Sequence, residues 1–176
     1  MDFVGTSRPL TSDGIGRTAS SLGVGVQEIW TVVGVETSAF GFLPDRRPTI
    51  LYERHLFHRL TRGKFDDGDL SDRSPGGYGA QGAHQYERLG QAIVLNRQAA
   101  LKSTSWGIGQ VLGANFAIAG FADVDQMVQA MSSSEDAQLD ALRGFIFATT
   151  RSGSAQPRLG DLRPRVQRSQ FRRQPL

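Results

Sequence analysis

Glu36 stands at the end of an apolar stretch, Val26 to Val35, directly before Thr37-Ser38-Ala39-Phe40-Gly41. At a helix C-terminus its carboxylate meets the negative end of the dipole, and apolar neighbours also disfavour its charged form. A carboxyl group held protonated near neutral pH is what protonation of a glycosidic oxygen requires. A solvated helix-end glutamate is the plain alternative. A second run, Ser105-Trp106-Gly107-Ile108-Gly109-Gln110-Val111-Leu112-Gly113, joins small residues that admit a ligand close to the backbone with a Gln able to bind a sugar amide or hydroxyl. Trp106 can stack on a pyranose or fill the core, and burial preference favours the core. Gly76-Gly77-Tyr78-Gly79 lacks the Lys and Ser/Thr of a P-loop and follows no strand, which argues against phosphate binding. It is either a loop presenting Tyr78 over a groove or a surface turn.

Other chemistries are narrowed by what the chain contains. It has no cysteine, so disulfides and thiolate metal sites are excluded. His55 and His58 share a helix face at i and i+3, but with His84 they form no recognised metal spacing, so no metal site is expected. The length of 176 residues fits one domain with a tail. No apolar run approaches the roughly 18 residues of a membrane span. The start, Met1 to Arg8, lacks a charged segment followed by an apolar one, so no standard signal peptide is expected. Net charge is +3, but Arg151 to Leu176 holds seven arginines against one acid, Asp161, a balance of +6 that leaves −3 for the preceding 150 residues. The basic character belongs to the tail.

The elements that must position these groups are mostly helical. Residues 1–10 are short and polar and are expected to be loose. A helix is expected from Ser12 to Leu22, with Thr11 or Ser12 as cap and Gly23 as stop. A stronger one runs from Val26 to Glu36, with Ile29, Val32 and Val33 as its buried stripe. Thr49 to Tyr52 suits a short extended segment, and Glu53 to Leu60 a helix with Leu56, Phe57 and Leu60 on one side. The long polar stretch from Thr61 to Ala83 is uncommon inside a compact domain unless it is functional or disordered. Helices are expected again at His84 to Asn96, Gln98 to Lys102, Ser105 to Leu112, Val124 to Met131 and Glu135 to Phe147. From Thr149 onward apolar periodicity disappears, and residues 150–176 cannot bury enough apolar area to offset their ordering entropy.

The run Val33-Gly34-Val35-Glu36-Thr37-Ser38-Ala39-Phe40-Gly41-Phe42-Leu43-Pro44-Asp45 resembles the helix-end signature of the phage and bacterial N-acetylmuramidase family. The resemblance continues through Pro48 to Phe57, Asp69-Leu70-Ser71, Ser74 to Gly79, Gln85 to Leu89, Ala99 to Gln110, Gly120-Phe121-Ala122 and Ser134 to Leu139. It spans residues 10–147 in order.

That family implies a mostly α (α+β, lysozyme-like) fold: a helical domain with a small β element beside a substrate groove. It implies cleavage of the β-1,4 bond between N-acetylmuramic acid and N-acetylglucosamine, with no cofactor and with Glu36 as the catalytic acid. Glu53, within Tyr52-Glu53-Arg54-His55, is the leading second carboxylate, with an ion pair to Arg54 or another basic side chain as its alternative; Asp66, Asp67 and Asp69 are fallbacks. His55, Tyr78, Ser105, Trp106 and Gln110 are the expected substrate-binding residues, Gly107 to Gln110 matching the family's groove-side Gly-x-x-Gln run. Gly109 stands where a larger apolar residue is usual, which would loosen the helix expected there.

The resemblance ends near Ala148, where relatives continue into a further helix that closes the groove. The expected organisation is therefore a flexible segment 1–10, a muramidase domain 11–149 and a basic tail 150–176. Such a chain would be a monomer made in the host cytoplasm, acting on peptidoglycan in the periplasm or at the wall after release. The tail could attract anionic surfaces weakly, without specific nucleic-acid binding. The alternative is a truncated, inactive remnant or a non-catalytic peptidoglycan-binding module.

Overall fold

A computed structural model describes residues 2–36, 41–65 and 68–151, with the backbone alone at 32, 34–36 and 151. Two helices open the chain. α1 (Ser12–Leu22) starts where Thr11 Oγ1 accepts the Gly14 N–H at 2.9 Å, and stops at Gly23, whose φ of 67° is left-handed. Its buried residues Ile15, Thr18 and Ala19 pack toward α6 and α2. α2 (Val26–Glu36) covers the expected span and buries Ile29 and Val33, one turn apart.

The chain then forms a hairpin from Gly41 to Thr49, closed by Thr49 N–H to Gly41 O at 2.9 Å and Leu43 N–H to Arg47 O at 2.8 Å. It leads directly into β1 (Ile50–Tyr52). Strands β2 (Thr104–Trp106) and β3 (Val111–Leu112) complete an antiparallel sheet in the order β1-β2-β3. This corrects the helix expected over Ser105 to Leu112. Gly107 and Gln110 take positive φ, 68° and 44°, which a helix cannot contain, and Ser105 and Trp106 pair with Leu51 and Ile50 of a distant segment. Gly109 therefore loosens no helix. It lies under α6, where a Cβ would come within 2.8 Å of Leu142 Cβ.

α3 (Arg54–Leu60) follows β1, with Glu53 as its N-terminal cap position. α4 (Ala83–Lys102) unites the two helices expected there. It breaks at Asn96 (φ −159°, ψ 98°), whose side chain accepts the Ala99 N–H at 3.0 Å and so caps the restarted helix. α5 (Val124–Ser133) and α6 (Glu135–Arg151) finish the described chain; α6 continues past Phe147, where apolar patterning had ended the expectation.

The core gathers around Trp106, Tyr52, Phe57, Leu89, Leu101, Met127, Met131 and Leu139, all almost fully enclosed. The N-terminal segment, expected to be loose, contributes to it. Phe3 is buried with its ring 5.5 Å from Tyr86 and 5.6 Å from Trp106, and Arg8 bridges to Ser134. One large apolar side chain in a polar stretch leaves no periodic trace, so only the fold reveals it. The basic segment from 152 onward lies outside the described residues.

Candidate active site

Register separates the two faces of the sheet. Ile50, Tyr52, Thr104, Trp106 and Val111 point into the helical core and are buried. Leu51 and Leu112, both opposite Ser105, lie half-covered on the other face, and Ser105 between them is buried. Glu53 continues this face one step past β1, its N–H bonded to Ser103 O at 3.0 Å.

Glu53 is half-buried, and loss of solvent pushes its carboxyl above the usual carboxylate range, an effect the hydrogen bond from the Ser105 hydroxyl opposes. His55 Nε2 stands 3.7 Å from Glu53 Oε2. Burial, with Arg59 and Arg54 nearby, holds the imidazole below its ordinary value, so the two groups both tend toward neutrality. His55 Nδ1 is buried without a hydrogen-bond partner among the described residues. The open face thus brings together Glu53, His55 and Ser105. Arg54 is not the partner of Glu53. It pairs with Asp72 at 3.6 Å and donates to Gly76 O at 2.9 Å and to Gly68 O.

Trp106 is no stacking platform. It is fully enclosed, and its indole N–H donates to Leu101 O at 3.2 Å, so the core-filling alternative prevails. Gln110 stands at the β2–β3 turn, where its amide N–H groups go to Gly107 O at 2.9 Å and Thr49 O at 3.3 Å, holding the turn against the hairpin exit. Tyr78 is half-buried, in a loop fastened from below: its carbonyl accepts from Gln85 Nε2 at 2.7 Å and Arg88 Nη1 at 2.9 Å. Asp69 lies 3.3 Å from Arg88 Nε, an ion-pair contact without hydrogen-bond alignment, and its carbonyl accepts from Arg88 Nη2, so it takes part in this anchoring. The side chain of Glu36, at the last position of α2, lies outside the described residues, as do Asp66 and Asp67.

Sequence reasoning missed the polar residues that hold these segments. Gln85 and Arg88 are buried on α4. Gln85 Oε1 accepts the Tyr52 N–H at 2.9 Å while its amide reaches Tyr78 O and Ala80 O, and Arg88 lies 5.4 Å from the Tyr52 ring. Glu135 and Gln138 do the same on α6. The signal was there: polar residues set within the buried stripe of a helix need partners, and here the partners are loop backbones.

A helical domain with a short antiparallel sheet, one face in the core and the other carrying a half-buried carboxylate, defines a lysozyme-like domain. A sequence model described as N-acetylmuramidase matches residues 25–159, a span that reaches past residue 147. The chain belongs to the N-acetylmuramidase family. The crystal structure of the Burkholderia AP3 phage endolysin is similar at 37% identity and a TM-score of 0.76, over 89% of this chain and 58% of its own. This chain therefore spans 58% of the length of that endolysin. No curated protein matches it.

Proposed function

We propose that the chain is a peptidoglycan hydrolase of phage cell lysis, cleaving the β-1,4 bond between N-acetylmuramic acid and N-acetylglucosamine with Glu36 as general acid. The family match over 25–159, which includes both Glu36 and Glu53, carries this reading. The half-buried Glu53 on the open sheet face supports it. In this reading Glu36 protonates the leaving oxygen. Glu53, ionised, either attacks the sugar or activates water, and the Ser105 hydroxyl favours that ionised form against the effect of burial. Neutral His55 beside Glu53 and Tyr78 on its fastened loop contact the glycan. Gln110 acts by holding the β2–β3 turn.

The hydrolase unit, expected over residues 11–149, extends in this reading from Phe3 to Arg151, because Phe3 is buried in the core and α6 runs to Arg151, with the arginine-rich segment after it adding weak attraction to anionic surfaces. A monomer made in the host cytoplasm would reach the wall through a separate release step. Among the described residues no helix is long and apolar enough to cross a membrane.

The test is digestion of purified peptidoglycan with mass analysis of the fragments, alongside turbidity loss of outer-membrane-permeabilised Gram-negative cells. Wild type should generate new reducing ends, and Glu36→Gln should lose about 1,000-fold or more in rate. Unchanged activity in Glu36→Gln would remove it as the acid. Pull-down with peptidoglycan but no new ends from wild type would make the chain a non-catalytic wall-binding module.

A further inference from the structure

Glu135, Gln138 and Leu142 lie at i, i+3 and i+7 of α6 and so share one face. That face receives three segments far apart in sequence, at Leu10, Gly41 and Ile108. Glu135 Oε1 accepts the Gly41 N–H at 2.6 Å, and its Oε2 accepts the Leu10 N–H at 2.8 Å. Gln138 Nε2 donates to Gly41 O at 3.2 Å and Met131 O at 2.8 Å, while its Oε1 accepts the Ile108 N–H at 2.7 Å. Leu142 lies under Gly109 in the same turn. Gln138 is fully buried and Glu135 is 6% exposed. Contact is close enough that a Cβ on Gly41 would come within 2.1 Å of Gln138 Oε1.

We propose that Glu135 and Gln138 are positioning residues for catalysis. By gripping both backbone groups of Gly41 and the β2–β3 turn together, they fix Gly41, where the hairpin that runs into β1 and Glu53 begins. This rests on the reading of Glu36 as the acid. Gly41 follows Glu36 by five residues, and its carbonyl also accepts the Thr49 N–H that leads into β1 and Glu53. The neighbouring Asp136 shows what a purely structural latch looks like. It binds Thr11 N and Oγ1 at 2.8 and 2.7 Å and meets Arg17 at 3.6 Å, bonding neither Gly41 nor the β2–β3 turn. A displacement of about 1 Å at an acid is enough to cost about 100-fold in rate, so a clamp on Gly41 has catalytic leverage that the Asp136 latch lacks.

The experiment compares Glu135→Gln and Gln138→Glu with Asp136→Asn as control and Glu36→Gln as reference, in the full chain on solubilised peptidoglycan. Thermal melts set a temperature at which each variant is folded. Glu135→Gln turns one acceptor into a donor facing a backbone N–H, and Gln138→Glu keeps the acceptor for Ile108 but loses the donor to Gly41. Either should lower kcat about 10-fold or more with KM within about 2-fold, and move the basic limb of the kcat–pH profile, where the general acid loses its proton. Asp136→Asn should lower the melting temperature and leave kcat and the profile in place.

The proposal is overturned if folded Glu135→Gln and Gln138→Glu keep wild-type kcat and a superimposable profile, if Asp136→Asn loses kcat in equal measure, or if neither variant folds, which would make the pair structural only. Glu36→Gln separates the two readings. If it stays active, the acid assignment and the clamp both fall; if it is inactive while Glu135→Gln behaves as wild type, only the clamp falls.

Discussion

Two polar regions flank the sheet, and they are built on opposite terms. At the start of α6, Glu135 and Gln138 are enclosed, and each of their polar side-chain atoms meets a backbone partner. On the open sheet face, Glu53 and His55 are half-covered, their ring nitrogen and carboxylate stand 3.7 Å apart, and burial moves both away from their ordinary ionisation. The first arrangement rigidifies, because satisfied buried polar groups specify one geometry. The second stores unfavourable electrostatics, as sites that do proton chemistry commonly do.

Breaking the enclosed region should cost the most. Gly107 combines a φ of 68° with a Cβ position 2.6 Å from Gln138 Cδ. Gly107→Ala therefore adds backbone strain to a clash with a fully buried amide, and should destabilise the fold by about 3 kcal/mol in urea titration. A loss below about 0.5 kcal/mol would show that the contact yields easily and that the region is not rigid.

The open face should respond in the reverse sense. Because folding raises the Glu53 pKa, the folded state holds that proton more tightly than the unfolded chain does. The group's contribution is most favourable below the ordinary carboxylate value and is lost as pH rises through the raised one. Glu53→Gln, which still accepts from Ser105, should raise the melting temperature at pH 7 while lowering kcat about 100-fold. Lower stability with full activity would make Glu53 a structural cap. In wild type, the acidic limb of the activity profile should lie above the ordinary glutamate value of about 4.3, since Glu53 must be ionised to act. A limb at or below that value would detach Glu53 from the reaction.

The smallest effect belongs to the latch at the start of α1, which touches neither Gly41 nor Glu53. Thr11→Ala removes the cap on Gly14 and the hydroxyl bonded to Asp136, and should cost about 1 kcal/mol with kcat unchanged. A change in kcat there would mean that α1 transmits to the site, blurring the distinction between latch and clamp.

The helices were legible because their signals are local. Thr11 and Gly23 bound α1, Ile29 and Val33 mark the buried stripe of α2, and the two helical runs expected on either side of Arg97 meet at the break at Asn96. Glu53 and Ser105 were singled out by motif and do share one face, while Trp106, from the same motif, belongs to the core. Local pattern could not separate them, because adjacent residues of a strand face opposite ways and the strand itself was read as helix.

By itself, then, the sequence determined the helical class, the family and the residues able to do acid–base chemistry, since caps, periodicity and motifs are properties of neighbouring residues. Only the tertiary structure decided that Ser105 to Leu112 is a β-hairpin, that Phe3 belongs to the core, and that Glu135 and Gln138 bind Gly41 and Ile108. Those outcomes depend on pairing and burial between segments tens of residues apart. There the partner, rather than local propensity, sets the conformation.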